Sequence, residues 1–142
     1  MFSNNLSAAR HYSSVGVTTG VMSASPHGLV LMLFDGAMLA VAASRMHMQI
    51  GRTAEKAQAI SKAVAIIQDG LMASLNRQSG GEIAEHLFCL YEYMVVRLTE
   101  ANIANRDEPL EEVGRLLAEL NGAWQAIGAV NQTQAAVAAG GE

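Results

Sequence analysis

SPHGLVLMLFDGAMLAVAASRMHMQ, residues 25–49, is the stretch on which the reading of this chain turns. Asp35 and Arg45 are its charged residues, and no proline follows Pro26 until Pro109. Ser25 suits an N-cap, because its hydroxyl can accept one of the amide protons that a first helical turn leaves unpaired. Pro26 suits the first helical position, where a missing N–H costs nothing. The spacing therefore predicts a helix from Ser25-Pro26 to about Gln49, stopped by Gly51. One apolar stripe holds Leu29, Met32, Leu33, Ala40 and Ala43, and a second holds Val30, Phe34, Ala37 and Val41. Two stripes with so little charge imply a helix covered on most sides. The same stretch is barely long enough to cross a bilayer. Asp35 near its middle would cost about 2.5–3.5 kcal/mol there, so a soluble helix is expected rather than membrane insertion.

Downstream, the 3.6-residue period continues. Thr53 reads as the cap of a second helix, with Glu55 in its first turn and Ile60, Ala63 or Val64, Ile67, Leu71 and Leu75 on its apolar face. Asn76 to Gly81 reads as a loop. A third helix is expected over about Glu82–Asn105, with Ile83, Leu87, Leu90, Met94 and Leu98 inward and Tyr91 and Val95 beside them. Asp107-Glu108-Pro109 opens a fourth, carrying Leu110, Val113, Leu117, Leu120, Trp124 and Ile127. Residues 1–24 show no sustained period and read as a flexible arm beaded with Leu6, Tyr12, Val15, Val17, Val21 and Met22. The expected organisation is thus an arm (1–24), a helical domain (25–130) and an Ala/Gly-rich tail (131–142) that holds at most a short helix. The fold class is all-α, an antiparallel up-and-down four-helix bundle. Leu33, Ile67, Leu90, Leu117 and Trp124 are expected in its core.

Composition agrees. The 142 residues suit one domain, and 24 of them are alanine, the best helix former. Hydrophobic residues make up 51% and charged ones 15%, well below the roughly 25% of an ordinary soluble domain. The net charge of −4 and the nine scattered Lys and Arg residues give nucleic acid no basic stripe to bind. The lone Cys89 makes no internal disulfide, which fits a reducing compartment.

Constellations that carry chemistry do not assemble. Glu82-Ile83-Ala84-Glu85-His86 lacks the Glu-x-x-His spacing of di-iron bundles and a counterpart on another helix. In Met46-His47-Met48, neighbouring side chains diverge around a helix instead of converging on a metal. Cys89, between Phe88 and Leu90, reads as an inert thiol in apolar surroundings, and His27 as a polar surface group. No enzyme activity, cofactor or metal is expected. What remains is apolar surplus, including eight methionines, whose soft side chains suit adaptable binding grooves.

Residues 25–37 resemble the S-P-x-x-L-[IV]-x-M-L-[YF]-D-G-A signature of the flagellin-specific export chaperones, the FliS family, with Phe34 where tyrosine is common. Gly80 to Ala84, Leu90 to Met94, Arg97-Leu98 and Ala101-Asn102 resemble its second block. Glu111 to Val113, Leu116-Leu117 and Ala123-Trp124 resemble its third, and Tyr12 stands where the family keeps an N-terminal tyrosine. The resemblance spans residues 12–127. It implies a cytoplasmic, ATP-independent chaperone that binds the disordered C-terminal region of flagellin. Such a chaperone prevents premature polymerisation and delivers its client to the export-gate subunit of the flagellar type III secretion apparatus. Coupled ordering of a disordered client gives a large but releasable interface. The residues expected to meet the client are Tyr12, Val15, Val17, Leu29, Met32, Phe34, Tyr91, Tyr93, Met94 and Leu98. A second copy of the chain is the rival occupant of such a groove when no client is bound, giving a homodimer.

Overall fold

A computed structural model describes residues 25–140, without the side chains of Arg77, Ser79 and 129–140. Four helical segments account for nearly all of it, and no strand occurs among the described residues. Helix α1 spans Pro26–Gln49. Ser25 caps it as its sequence predicts, Oγ accepting from the Gly28 amide at 3.1 Å. The other end closes in a Schellman turn. The Arg52 amide donates to His47 O at 2.9 Å and the Gly51 amide to Met48 O at 3.3 Å. Gly51 takes the left-handed φ of 75° that this turn requires.

Helix α2 begins at Thr53, so Thr53 is its first helical residue and not its cap. Arg52 occupies the cap position with no side-chain bond, and Glu55 is what favours the first-turn amides. After Ala65 the helix widens into a π segment, Ile66–Met72, which the sequence period did not foretell. Ile66, Ile67, Gly70 and Leu71 of this segment are all buried in the core. Gly70 packs against α1, where a Cβ would lie 2.8 Å from Leu33 Cδ2 and would make that side chain shift.

Helix α3 spans Arg77–Ala104 and breaks only at Gly81, whose φ of 59° and ψ of −135° are open to glycine. The expected loop over 76–81 is therefore a helical turn plus one kink, with the Gly80 amide bonded to Asn76 O at 2.7 Å. The inward row is Ala84, Tyr91, Met94, Leu98 and Ala101. Ile83, expected inward, lies one residue off that row and is 72% exposed; Leu87 and Leu90 are half-buried. Asn105, at φ 54°, ends α3, with the Arg106 amide reaching back to Ala101 O at 3.2 Å.

Helix α4 runs from Glu108 to Gly140. Its backbone thus stays helical through most of the segment expected to be a tail. Leu110, Val113 and Leu117 are fully buried, whereas Ile127 is 48% exposed. Each helix packs on the next, and α4 returns to pack on α1, so α1 and α3 stand diagonally across the bundle. The polar contacts fix the antiparallel sense. Lys56 at the start of α2 meets Asn102 and Asn105 at the end of α3; Arg45 late in α1 meets Asp107 just before α4, and His27 early in α1 meets Trp124 midway along α4. Of the five expected core residues, Ile67 and Leu117 are fully buried, and Leu33, Leu90 and Trp124 pack partly buried against the core.

Candidate interaction surface

Most of the polar side-chain bonds between helices serve to join them. Arg45 Nε and Nη2 form a fork to the two carboxylate oxygens of Asp107, at 2.8 and 2.9 Å, tying α1 to α4. The Arg45 guanidinium bonded to Asp107 holds that carboxyl below the usual range. On the α3–α4 side, Glu112 accepts from Tyr93 Oη at 2.7 Å and from Arg97 Nε at 2.6 Å. Those two bonds, the tyrosine's first, lower the Glu112 pKa, and the Glu112 carboxylate raises that of Tyr93. Lys56 is 2% exposed, with Nζ donating to Asn105 Oδ1 at 2.9 Å and Asn102 O at 3.2 Å. Burial pushes the Tyr91 phenol up to about 12, so it stays neutral at physiological pH.

These groups do not converge on a reaction centre. Among the described residues, no three His, Cys, Asp or Glu side chains are placed to hold a metal ion. Cys89 is exposed, which corrects the expectation of apolar surroundings, because α3 turns its Cys89 face outward. His27, expected as a surface group, is half-buried and stacks on Trp124 with ring centroids 5.0 Å apart. Trp124 Nε1 donates to His27 O at 3.1 Å.

Apolar surplus is exposed on the first helix, as expected, and includes Met32, but several of the individual residues named for it are buried. Phe34, Tyr91, Met94 and Leu98, all expected to face a client, are 3% exposed or less. They belong to the core because their helix positions face inward, and they are not available to a partner at the surface of this structure. Leu29 is half-buried, Met32 is 38% exposed and Tyr93 is 43% exposed. The structure does not bring Leu29 and Met32 together with Tyr93, since α1 and α3 are diagonal. Tyr12, Val15 and Val17 lie outside the described residues.

The reading missed Leu39, Met46, Ile50, Val96 and Ile103, all of them exposed. On α1 the signal was present as a third stripe. Met32, Leu39 and Met46 repeat every seven residues, and two heptads drift by only about 40° around a helix. Asp35, Ala42 and Gln49 interleave with them and are exposed too. Helix α1 buries Ala37, Ala40, Val41 and Ser44 while leaving a leucine and two of its methionines outside. It is long and apolar enough to cross a membrane by composition, a property that core helices of soluble proteins share.

Comparison with known proteins agrees with the motifs. The model of the family described as "Flagellar protein FliS" matches residues 8–131. The chain is 46% identical over 121 residues to the flagellar secretion chaperone FliS of Salmonella typhimurium, covering 85% of this chain and 90% of that one. It is 41% identical to the flagellar secretion chaperone FliS of Escherichia coli, over 80% of this chain and 84% of that one. To the flagellar secretion chaperone FliSB of Pseudomonas aeruginosa it is 38% identical, over 86% and 96%. With its helical bundle, its three sequence blocks in order and these matches over most of its length, the chain belongs to the FliS family, a family of chaperones and not of enzymes.

Proposed function

We propose that this chain is a cytoplasmic flagellar export chaperone whose client is the disordered C-terminal region of flagellin. It holds that region away from premature polymerisation and presents it to the flagellar type III secretion apparatus, at the export-gate subunit. One observation carries the reading beyond family membership: large apolar side chains stay exposed on a bundle whose core is already filled. Nothing inside the bundle needs them, and solvent exposure of such side chains is unfavourable. A partner that is disordered when free covers such a surface at a modest net affinity and can be released again.

Size-exclusion chromatography of the chain with and without a flagellin C-terminal peptide tests the proposal. Co-elution as a stoichiometric complex is expected. A self-associated form that the peptide leaves unchanged would refute the client reading in favour of a homodimer. The arm belongs to the same proposal, with Tyr12 as an anchor whose ring buries apolar area while its hydroxyl keeps a polar partner. Tyr12→Ala should weaken peptide binding in a calorimetric titration and leave the thermal midpoint where it was.

A further inference from the structure

We propose that the outward face of α1, from Met32 to Met46, is a docking seam for one amphipathic client helix, and that Asp35 receives a cationic side chain of that helix. The inference rests on the client reading above and says which face carries it. Met32, Leu39 and Met46 are 38%, 72% and 51% exposed. They lie within about 40° of arc and about 21 Å of helix length, at 1.5 Å per residue. That is the seven-residue repeat by which one helix reads another, so the partner is a helix of at least about four turns with large apolar residues at matching spacing. Methionine at two of the three positions lets the seam adapt to the shapes it meets.

Two observations choose α1 over the diagonal helix. On α3 the exposed Val96 and Ile103 stand among Glu92 and Glu100, also exposed. A helix laid there would strip water from two carboxylates, Glu92 and Glu100, the second of them paired with Arg97. The α1 seam carries one charge, Asp35, whose described partner is the Asn121 amide at 3.4 Å, a long contact. No Lys or Arg stands against Asp35 among the described residues. A carboxylate covered by an apolar helix is costly unless a cation or strong donor meets it. The seam therefore selects a helix bearing a Lys or Arg beside its apolar row, and disfavours a purely apolar one.

Isothermal titration with the flagellin C-terminal peptide tests this, using variants checked for folding by circular dichroism. Leu39→Asp is expected to weaken binding at least tenfold, and Ile103→Asp, an equally exposed site on α3, less than twofold. Asp35→Asn should flatten the dependence of affinity on salt. Leu39→Cys in a Cys89→Ser background, labelled with bimane, should shift to the blue when peptide is added, and keeps the test open if the aspartate variant does not fold. Wild-type binding that Leu39→Asp leaves intact would overturn the seam while leaving the client reading standing. Absence of any wild-type binding would overturn both. Uptake of the chain by phosphatidylcholine vesicles that Leu39→Asp abolishes, with peptide binding unaffected, would reassign the seam to lipid and overturn the proposal.

Discussion

Replacing Lys56 by methionine tests how the bundle tolerates a buried cation. The ammonium is 2% exposed and has two described acceptors, Asn105 Oδ1 at 2.9 Å and Asn102 O at 3.2 Å. Both lie at the C-terminal end of α3, where backbone carbonyls are unsatisfied and the helix carries partial negative charge. Hydrogen bonds from a charged donor contribute about 1.5–3 kcal/mol each. The longer bond belongs at the bottom of that range, and the helix terminus adds about 0.3–2 kcal/mol. Against these stands the desolvation of the ammonium, several kcal/mol. Methionine keeps most of the apolar stem and removes both sides of the balance. The balance predicts a loss of about 1–3 kcal/mol, because the freed acceptors are near enough to the surface to recruit water. For a bundle of this size that corresponds to a fall in Tm of roughly 3–12 °C. Urea unfolding followed at 222 nm, with a thermal melt alongside, reads both numbers. A Lys56→Met protein as stable as the parent would refute the reasoning. It would mean that this cation does no more than break even against an apolar side chain of the same shape, as many buried ion pairs do.

Further outcomes follow from the same structure. Leu117→Ala, at a fully buried site, should cost about 3–5 kcal/mol in urea unfolding. Gly81→Ala meets no atom within 4 Å, so its expected cost of about 1–3 kcal/mol is backbone strain alone; Gly51→Asn, at an ordinary left-handed turn, should cost clearly less. Glu112 and Asp107 have pKa values lowered by folding. Their stabilisation is present in full above the ordinary carboxylate range, about 4, and is lost as pH falls through the lowered folded values. Melts between pH 7 and 3 should therefore show Glu112→Gln well below the parent at pH 7 and close to it at pH 3. An equal gap at both ends would remove Glu112 from the account.

How far the sequence could be read depended on whether local rules met a tertiary partner. The start and stop of α1 were legible because Ser25, Pro26 and Gly51 act locally, Ser25 through its hydroxyl and the other two through their backbones. The π segment was not, because nothing in the 3.6-residue period of Ile60, Ile67 and Leu71 marks where the turn widens. Thr53 has the right chemistry for a cap, yet the Schellman turn before it uses Gly51 and Arg52 and shifts the helix start by one residue. Ile83 shows how a core assignment slips: it lies one residue off the row of Ala84, Tyr91 and Leu98, so Ala84 faces inward in its place. The surface was the least legible part. A helix pattern marks apolar residues as inward, and Phe34, Tyr91, Met94 and Leu98 obeyed that rule although they were expected at an interface. Exposure of Leu39 breaks the rule: its stripe is visible in the sequence, but that the stripe faces outward is shown by the packing of the other helices.

Apart from Phe34 and Val41, the residues that α1 buries are small, and this bears on why others of its large side chains stay outside. Its inward positions include Ala37, Ala40 and Ser44, facing a core that also contains Ala63 of α2 and Ala101 of α3. Gly114 of α4 faces α1, where a Cβ would meet Val41 Cγ1 at an ordinary contact distance of 3.6 Å. Helices meeting through alanine and glycine approach closely, so the interior between them fills without a contribution from every apolar residue. Phe34, Ile66, Ile67, Leu71, Met94, Leu98, Leu110 and Leu117 already occupy that interior as its largest side chains. Turning Leu39 inward would displace one of them or push α1 away from α4, breaking the Arg45–Asp107 fork and the Asp35–Asn121 contact. Overpacking of that kind costs about 1–3 kcal/mol or more. Leaving one leucine in water costs a comparable amount, so the core alone does not decide against exposure. An outward row on a rigidly backed helix is therefore a stable feature of the folded chain, present before any partner arrives.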